Sequence, residues 1–207
     1  MGRTSEVVYM SGFRAGNIAG GNYSEIRNAG EINCVSGGRV WRDINIGAVF
    51  LGRGASAPDL VQVNGGTIYL PGFNGNVTTE QLYGCIEIDH FVAQNTVIYP
   101  HVHWMPVNAN AGNVTWNLTY TLQEPDAAYP AEATLVSTAA APGVAWQQVF
   151  TDIGAGITIA HIGAQLNFCF WRDPTLVTDT YGSDAVVQTI GFHVLVDTMG
   201  SREILIK

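Results

Sequence analysis

Two histidines separated by one residue are the groups in this sequence best placed to do chemistry. His101 and His103 lie in the run from Ile98 to Trp104, which also contains a proline and two aromatic residues. Because side chains alternate between the two faces of a β-strand, Tyr99 would share a face with both histidines, while Trp104 would point the other way. Imidazole nitrogens placed in this way can converge on one metal ion.

A complete metal site needs further ligands, and the sequence offers three candidates. His193 lies on the polar side of the last long strand candidate, and Glu87 and Asp89 share a face of the strand candidate before the two histidines. A cupin-type site would instead place a glutamate shortly after the second histidine, and residues 105–112 contain no carboxylate. We therefore keep a cupin-like metal enzyme only as a minor alternative and expect no metal and no other cofactor.

The same histidines fit a structural role. Histidines on a strand can form hydrogen bonds to neighbouring strands or lie at a contact between subunits, and near a threefold axis they could bind an ion or respond to acid pH. His101, His103 and His193 thus remain weak candidates for metal binding. The sequence has no nucleophile elbow, phosphate-binding loop, dinucleotide fingerprint or zinc-protease motif, so we predict a protein that is not an enzyme.

Hydrophobic periodicity predicts that β-strands position these residues. Apolar and polar residues alternate over 114–122, which is typical of a half-buried antiparallel strand. Asn64-Gly65 predicts a tight hairpin, and residues 125–142 are predicted to form a long loop with no assigned place. The other strand candidates are 40–51, 60–63, 67–70, 83–90, 98–104, 165–170 and 186–196. This pattern predicts an all-β fold, an antiparallel β-sandwich of the jelly-roll type.

The composition predicts one domain with an N-terminal arm. A chain of 207 residues with 47% apolar residues can bury one sizeable core. Residues 1–38 are rich in glycine and are expected to form an extended arm that gains order by lying on another surface. Residues 39–207 are predicted to form the single jelly-roll domain.

Charge and cysteine content exclude several partner classes. The net charge is -8, and the only lysine is Lys207, so the sequence lacks a basic patch for a nucleic-acid backbone. The three cysteines are far apart and do not indicate a disulfide framework or a zinc ribbon. We found no apolar stretch long enough for a signal peptide or a membrane span, and we expect neither a nucleic-acid nor a membrane partner.

The tripeptide Trp-Arg-Asp occurs twice, at Trp41-Arg42-Asp43 and at Trp171-Arg172-Asp173. Adjacent residues of a strand face opposite ways, so each tripeptide is expected to supply its side chains to separate neighbours and not to pair internally.

Four blocks of sequence together resemble a family of tailed-bacteriophage virion structural proteins. The blocks are Asn22-Tyr-Ser-Glu-Ile26 with Val40-Trp-Arg-Asp-Ile44, Ile98 to Trp104, Phe170-Trp-Arg-Asp173, and Gly200-Ser-Arg-Glu203 before Lys207. The resemblance implies a jelly-roll domain that serves as a capsid decoration or as a head or tail appendage. It implies no catalytic residues.

The resemblance and the low charge lead to one expected function with two alternatives. We expect a non-enzymatic capsid decoration protein in the virion, bound as a homotrimer to the major capsid protein or to other virion proteins on the outer surface. The alternatives are a head-fibre or tail appendage protein that takes part in host attachment and, less favoured, the cupin-like enzyme. The residues expected to mediate interactions are Tyr99, His101, His103, Trp104, Trp41, Arg42, Trp171 and Arg172.

Overall fold

The computed structural model describes residues 13–27 and 31–200, and strands dominate this part of the chain. Fifteen strands occur within these ranges. They are β1 (Phe13–Asn17), β2 (Asn22–Ile26), β3 (Ile32–Val35), β4 (Val40–Gly47), β5 (Gly52–Arg53), β6 (Asp59–Gln62), β7 (Tyr69–Phe73), β8 (Gln81–Glu87), β9 (Thr96–Pro106), β10 (Asn113–Gln123), β11 (Ala133–Ala140), β12 (Val149–Asp152), β13 (Ile157–Ile159), β14 (Gln165–Arg172) and β15 (Ala185–Val196). Only single turns of 3-10 helix interrupt them in the described ranges.

Two antiparallel sheets form a β-sandwich of the jelly-roll type, which confirms the predicted fold class. The smaller sheet has the order β11-β10-β14-β8-β5. The larger sheet has the order β12-β9-β15-β7-β6, with β13 also beside β9 and β4 also beside β15. Among the described residues, no helix has the length and hydrophobicity needed to cross a bilayer.

Aromatic side chains from both sheets fill the space between them. Trp116 of β10 stacks on Phe170 of β14 at a centroid distance of 5.1 Å and meets Trp104 of β9 at 5.8 Å. Phe73 of β7 contacts both Trp116 and Phe170 edge-on at 5.5 Å. These four rings are almost completely buried, so the alternating pattern seen in the sequence places its apolar members in one shared core.

The Asn64-Gly65 hairpin forms as predicted. Both residues have positive φ angles, 47° at Asn64 and 69° at Gly65. The Gly66 N–H donates to the Val63 carbonyl at 2.8 Å, which closes the turn between β6 and β7. Asparagine and glycine tolerate this left-handed backbone with little strain, so the local sequence accounts for the turn.

The prediction of a long loop over 125–142 was wrong, because this segment contains the edge strand β11. It pairs with β10 along its whole length. Threonine pairs link the two strands, with Oγ1 atoms 2.9 Å apart for Thr119 and Thr134 and for Thr115 and Thr138. Small and weakly apolar residues suffice here because an edge strand buries little surface, and such a strand has a weak sequence signal.

The N-terminal region folds back on itself. Strands β1, β2 and β3 form a separate three-stranded antiparallel sheet, which we call the N-terminal meander (residues 13–27 and 31–35). The meander joins the sandwich where the Cys34 N–H donates to the Asp197 carbonyl and Asn33 pairs with Thr198. Residues 1–12 of the predicted arm lie outside the described residues, as do the last residues of the predicted domain, 201–207.

Candidate functional site on the outer face of the large sheet

Four neighbouring strands of the large sheet bring the candidate residues together on its outer face. Strand β15 lies between β9 and β4, and β12 lies on the far side of β9. The strand registers align side chains in three rows across this face, which are Asp152, His101, Gly191 and Asn45, then Phe150, His103, Thr189 and Gly47, then Tyr99, His193 and Asp43. The alternation predicted for residues 98–104 is therefore confirmed, with Ile98, Val102 and Trp104 facing the core.

Asp43, His101 and His193 form a compact cluster on this face. Each offers one ligand atom, and the three atoms lie within 4.8 Å of one another. The His193 Nε2 atom is 2.9 Å from the Asp43 Oδ1 atom. The His101 and His193 rings stack at a centroid distance of 4.2 Å and an angle of 24°. Two imidazoles and a carboxylate are a donor set that binds divalent transition metals.

His101 is completely buried although it points away from the sandwich core. The rings of His193, His103 and Phe150 pack around it at centroid distances of 4.2, 5.3 and 5.2 Å. Neither ring nitrogen has a hydrogen-bond partner. Burial lowers the pKa of His101, as does the neighbouring His193, while Asp43 and the Tyr99 main chain oppose this shift. The ring is therefore favoured in its neutral form, which can offer a lone pair to a metal.

A glycine makes room for this buried ring. Gly191 lies opposite His101 on β9 and opposite Asn45 on β4. A Cβ atom at position 191 would collide with the His101 imidazole and with the Asn45 side chain. The absence of a side chain at Gly191 allows the His101 ring to lie flat over β15, beside His193.

Two of the three predicted metal candidates lie in the cluster, and the third, His103, packs against His101 from outside it. His103 is held by Gln148, whose Nε2 atom is 2.6 Å from His103 Nδ1. Glu87 and Asp89 were wrong as completing carboxylates, because β8 belongs to the opposite sheet and pairs with β14. The carboxylate in the cluster is Asp43. It was noted in the sequence as part of the repeated tripeptide, but nothing in the sequence linked it to a histidine.

A shallow cleft with a volume of about 630 Å³ opens beside the cluster. The exposed rings of Trp41 and Tyr99 form one wall, with centroids 5.8 Å apart. Phe150, Asp152 and His193 also line the cleft. Sequence reasoning selected Trp41 and Tyr99 as interaction residues but missed Phe150, because strand β12 is too short to give a clear pattern.

Trp104 and Arg172, also predicted as interaction residues, are internal. Trp104 is fully buried, and its Nε1 atom donates to Thr151 Oγ1 at 3.0 Å. Arg172 is buried against Asp179, to which its Nε and Nη2 atoms donate at 2.9 and 2.7 Å. We reassign both residues to packing inside the chain, since neither reaches the surface.

Arg42 and Trp171 differ in their exposure. The Arg42 guanidinium lies over the Phe91 ring at 4.4 Å from its centroid and is exposed. Trp171 is half-buried, and its Nε1 atom donates to Thr119 Oγ1 at 3.4 Å on the outer face of the small sheet. Both therefore remain available, at least in part, to a partner.

Comparison with known proteins gives only distant structural neighbours. No protein-family model and no curated protein matches the sequence. A Clostridium thermocellum xylanase with CBM22-1 and GH10 modules, crystallised with xylohexaose, is 18% identical over 74% of this chain and 26% of its own, with a TM-score of 0.33. A Podospora anserina GH26-CBM35 mannanase is 14% identical over 78% of this chain and 29% of its own, with a TM-score of 0.32.

A third neighbour is a module specific for non-crystalline cellulose, CBM28. It is 12% identical over 70% of this chain and 83% of its own, with a TM-score of 0.33. The present chain thus spans less than a third of the length of the first two neighbours. These similarities do not assign a function to the chain.

Proposed function

We propose that this chain is a non-enzymatic structural protein of a bacteriophage virion, which decorates the outer capsid surface as a homotrimer. Its partners in this role are the major capsid protein or other virion proteins. The resemblance that suggests this role lies on well-defined elements. Asn22–Ile26 is the whole of β2, and Ile98–Trp104 lies within β9. The final block, apart from Gly200, lies outside the described residues.

The exposed N-terminal meander is the observation that carries the proposal. Phe13, Ile18, Ile26 and Ile32 are 53%, 49%, 46% and 38% exposed. A small sheet is stable in water when an apolar face packs against another surface, and the described part of the sandwich contacts the meander mainly around Asn33 and Cys34. The apolar face of the meander is therefore suited to packing on a neighbouring subunit.

The surface charge supports attachment to the outside of a particle. Charged residues make up only 13% of the chain, and the net charge is -8 with one lysine. A surface of this kind has little affinity for packaged nucleic acid. It also gives an isolated subunit less protection against association than a highly charged surface does, which suits a protein that works in an assembly.

Copy number in purified virions tests the proposal. Quantitative mass spectrometry of particles should find this chain in numbers comparable with those of the major capsid protein, and light scattering should find a trimer in solution. A few copies per particle would instead indicate a tail or vertex component. Absence from virions would refute the proposal.

Substitutions in the meander test how the chain attaches. The double variant Phe13→Ser with Ile26→Ser should bind at least tenfold less tightly to particles that lack the protein, because each buried apolar side chain contributes about 1.5–3 kcal/mol. The matched control is Val177→Ser, which changes a residue that is 92% exposed and lies outside the meander. Equal binding by the double variant and the control would contradict attachment through the meander.

Host attachment is a second candidate function, and the aromatic cleft favours it. Trp41 and Tyr99 offer apolar ring faces, while Asp152 and His193 offer polar groups beside them. This mixture matches the alternating apolar and hydroxyl faces of a sugar. Binding of host surface polysaccharide that is lost in Trp41→Ala and retained in Trp171→Ala would support this candidate. If the wild-type protein does not bind host polysaccharide, the cleft does not have this role.

A further inference from the structure

We infer that Asp43, His101 and His193 form a binding site for a divalent transition-metal ion. The three side chains come from three adjacent strands, β4, β9 and β15. Their ligand atoms lie within 4.8 Å of one another. In a tetrahedral zinc site with bonds of about 2.0–2.1 Å, ligand atoms are roughly 3.3 Å apart, so small side-chain rotations suffice to bring these atoms to one ion.

The buried His101 ring is the independent observation that indicates a ligand. It is completely buried, and neither of its nitrogens has a hydrogen-bond partner. Buried polar side chains in folded proteins nearly always have a partner, because burial removes their hydrogen bonds to water. A metal bound to one nitrogen would supply the missing partner on the side where Asp43 and His193 already lie.

The other two ligands are oriented by each other. The His193 Nε2 atom lies 2.9 Å from the Asp43 Oδ1 atom. This contact holds both side chains at the outer end of the cluster before an ion arrives, and metal binding would take the place of this contact. Both side chains are partly exposed, 33% for His193 and 40% for Asp43, so an ion can reach them from the cleft.

The donor set defines the class of ion. Two imidazole nitrogens and one carboxylate oxygen suit zinc, cobalt, nickel or iron, whereas calcium and magnesium prefer oxygen ligands alone. Three protein ligands leave at least one position for water or for a group bound in the cleft.

The position of the site in the fold suggests what the ion does. Among the described strands, β4 pairs only with β15, and β4 follows the N-terminal meander in the chain. An ion held by Asp43 of β4 and by the histidines of β9 and β15 would fasten β4 to the two central strands. The ion would thereby fix the point from which the meander extends.

Metal titration of the full chain tests the inference. The protein is first stripped with a chelator and then titrated with Co²⁺ and Zn²⁺, with the Co²⁺ absorption spectrum and calorimetry as readouts. The wild type should bind one equivalent and show the visible bands of nitrogen-coordinated Co²⁺. Asp43→Asn and His193→Gln should each bind at least about tenfold more weakly, since even residues behind the ligands contribute that much.

A surface histidine provides the matched control. His161 is 61% exposed and pairs with Glu124 at 2.9 Å, so His161→Gln removes one histidine without touching the cluster and should bind as the wild type does. Zn²⁺ should raise the melting temperature of the wild type and of His161→Gln but not of Asp43→Asn.

Two results would overturn the inference. One is the absence of a nitrogen-coordinated Co²⁺ spectrum in the wild-type protein. This test does not depend on the folding of any variant. The other is equal affinity in the wild type, Asp43→Asn and His193→Gln, which would place the ion elsewhere. Neither result depends on whether the protein is found in virions.

Discussion

The two Trp-Arg-Asp tripeptides have the same sequence and opposite surroundings. In both, the arginine has the parity of the core-facing residues of its strand, which in β4 include Ile44 and in β14 include Phe170. Arg172 is completely buried, whereas Arg42 is exposed over the Phe91 ring. The tripeptide therefore fixes which way each side chain points but not how deeply it is buried.

The position of each strand in its sheet explains the difference. Strand β14 lies between β10 and β8, and its last inward residue, Arg172, is enclosed by both sheets and by the loop after β14, a region that we call the buried end of the sandwich. There Arg172 donates to the carbonyls of Phe73, Tyr181 and Ser183 as well as to Asp179. Strand β4 lies beside β15, and its outward residues lie at the cleft and the histidine cluster. The tripeptide at 171–173 thus contributes a buried arginine to the interior, while the tripeptide at 41–43 contributes exposed side chains to the cleft and the cluster.

Substitution of the buried arginine should have the largest effect on stability. Arg172→Met leaves the Asp179 carboxylate buried without its partner, at an expected cost of about 3–5 kcal/mol in the free energy of unfolding. Arg42→Met removes only an exposed contact with an aromatic ring, at a cost of about 0.5–1 kcal/mol. Urea denaturation followed by tryptophan fluorescence measures both values.

A double variant separates the charge from the packing. Replacing both partners, as Arg172→Met with Asp179→Leu, should recover part of the loss, because no unpaired charge remains in the interior. Equal destabilisation by Arg172→Met and Arg42→Met would show that the two tripeptides do not differ in the way their burial indicates.

Two tyrosines extend the comparison to hydrogen bonds. The Tyr181 hydroxyl lies at the buried end of the sandwich and donates to Asn108 Oδ1 at 3.1 Å, while the Asn108 N–H donates to it at 3.3 Å. Tyr181→Phe should cost about 1 kcal/mol, because the Asn108 N–H loses its partner, while Asn108 Oδ1 keeps only the hydrogen bond from the Asn110 N–H. Tyr99→Phe, at the exposed cleft, should change stability by less than about 0.5 kcal/mol. A larger loss in Tyr99→Phe would contradict this ranking.

The sequence was sufficient to predict the strands whose apolar residues alternate over a long run. Residues 114–122 and 186–196 fall within β10 and β15. The inward position of Arg172 could also have been read from the alternation that includes Phe168 and Phe170. Its partner Asp179 could not, because it lies in the loop after β14, where no period applies.

The cluster was predictable only in part, because its carboxylate depends on long-range strand pairing. His101 and His193 were selected as candidates from residue type and parity. Asp43 joins them only because β4 pairs with β15 in the register that sets Asp43 opposite His193. Glu87 was named as a possible ligand because its strand precedes the two histidines in the chain, but β8 and β9 belong to different sheets. A shift of one residue in either register would have moved these side chains to the other face.

The buried end also contains the acidic residue Glu80, so the stability that this end contributes depends on pH. Burial raises the pKa of Glu80 above its usual value of 4.5, although its Oε2 atom accepts a hydrogen bond from the Asn74 N–H at 2.7 Å. A carboxyl with a raised pKa in the folded state contributes stability below its unfolded pKa and loses that contribution as the pH rises through its folded pKa.

Glu80→Gln should therefore stabilise the protein near neutral pH and have little effect below pH 4.5, where Glu80 is protonated in both states. Glutamine keeps an oxygen that can accept from Asn74 but has no charge to bury. Melting temperatures at the two pH values measure the effect, with the exposed Glu87→Gln as the control. A lower melting temperature for Glu80→Gln near neutral pH would show that the ionised carboxylate is the form that the folded protein prefers.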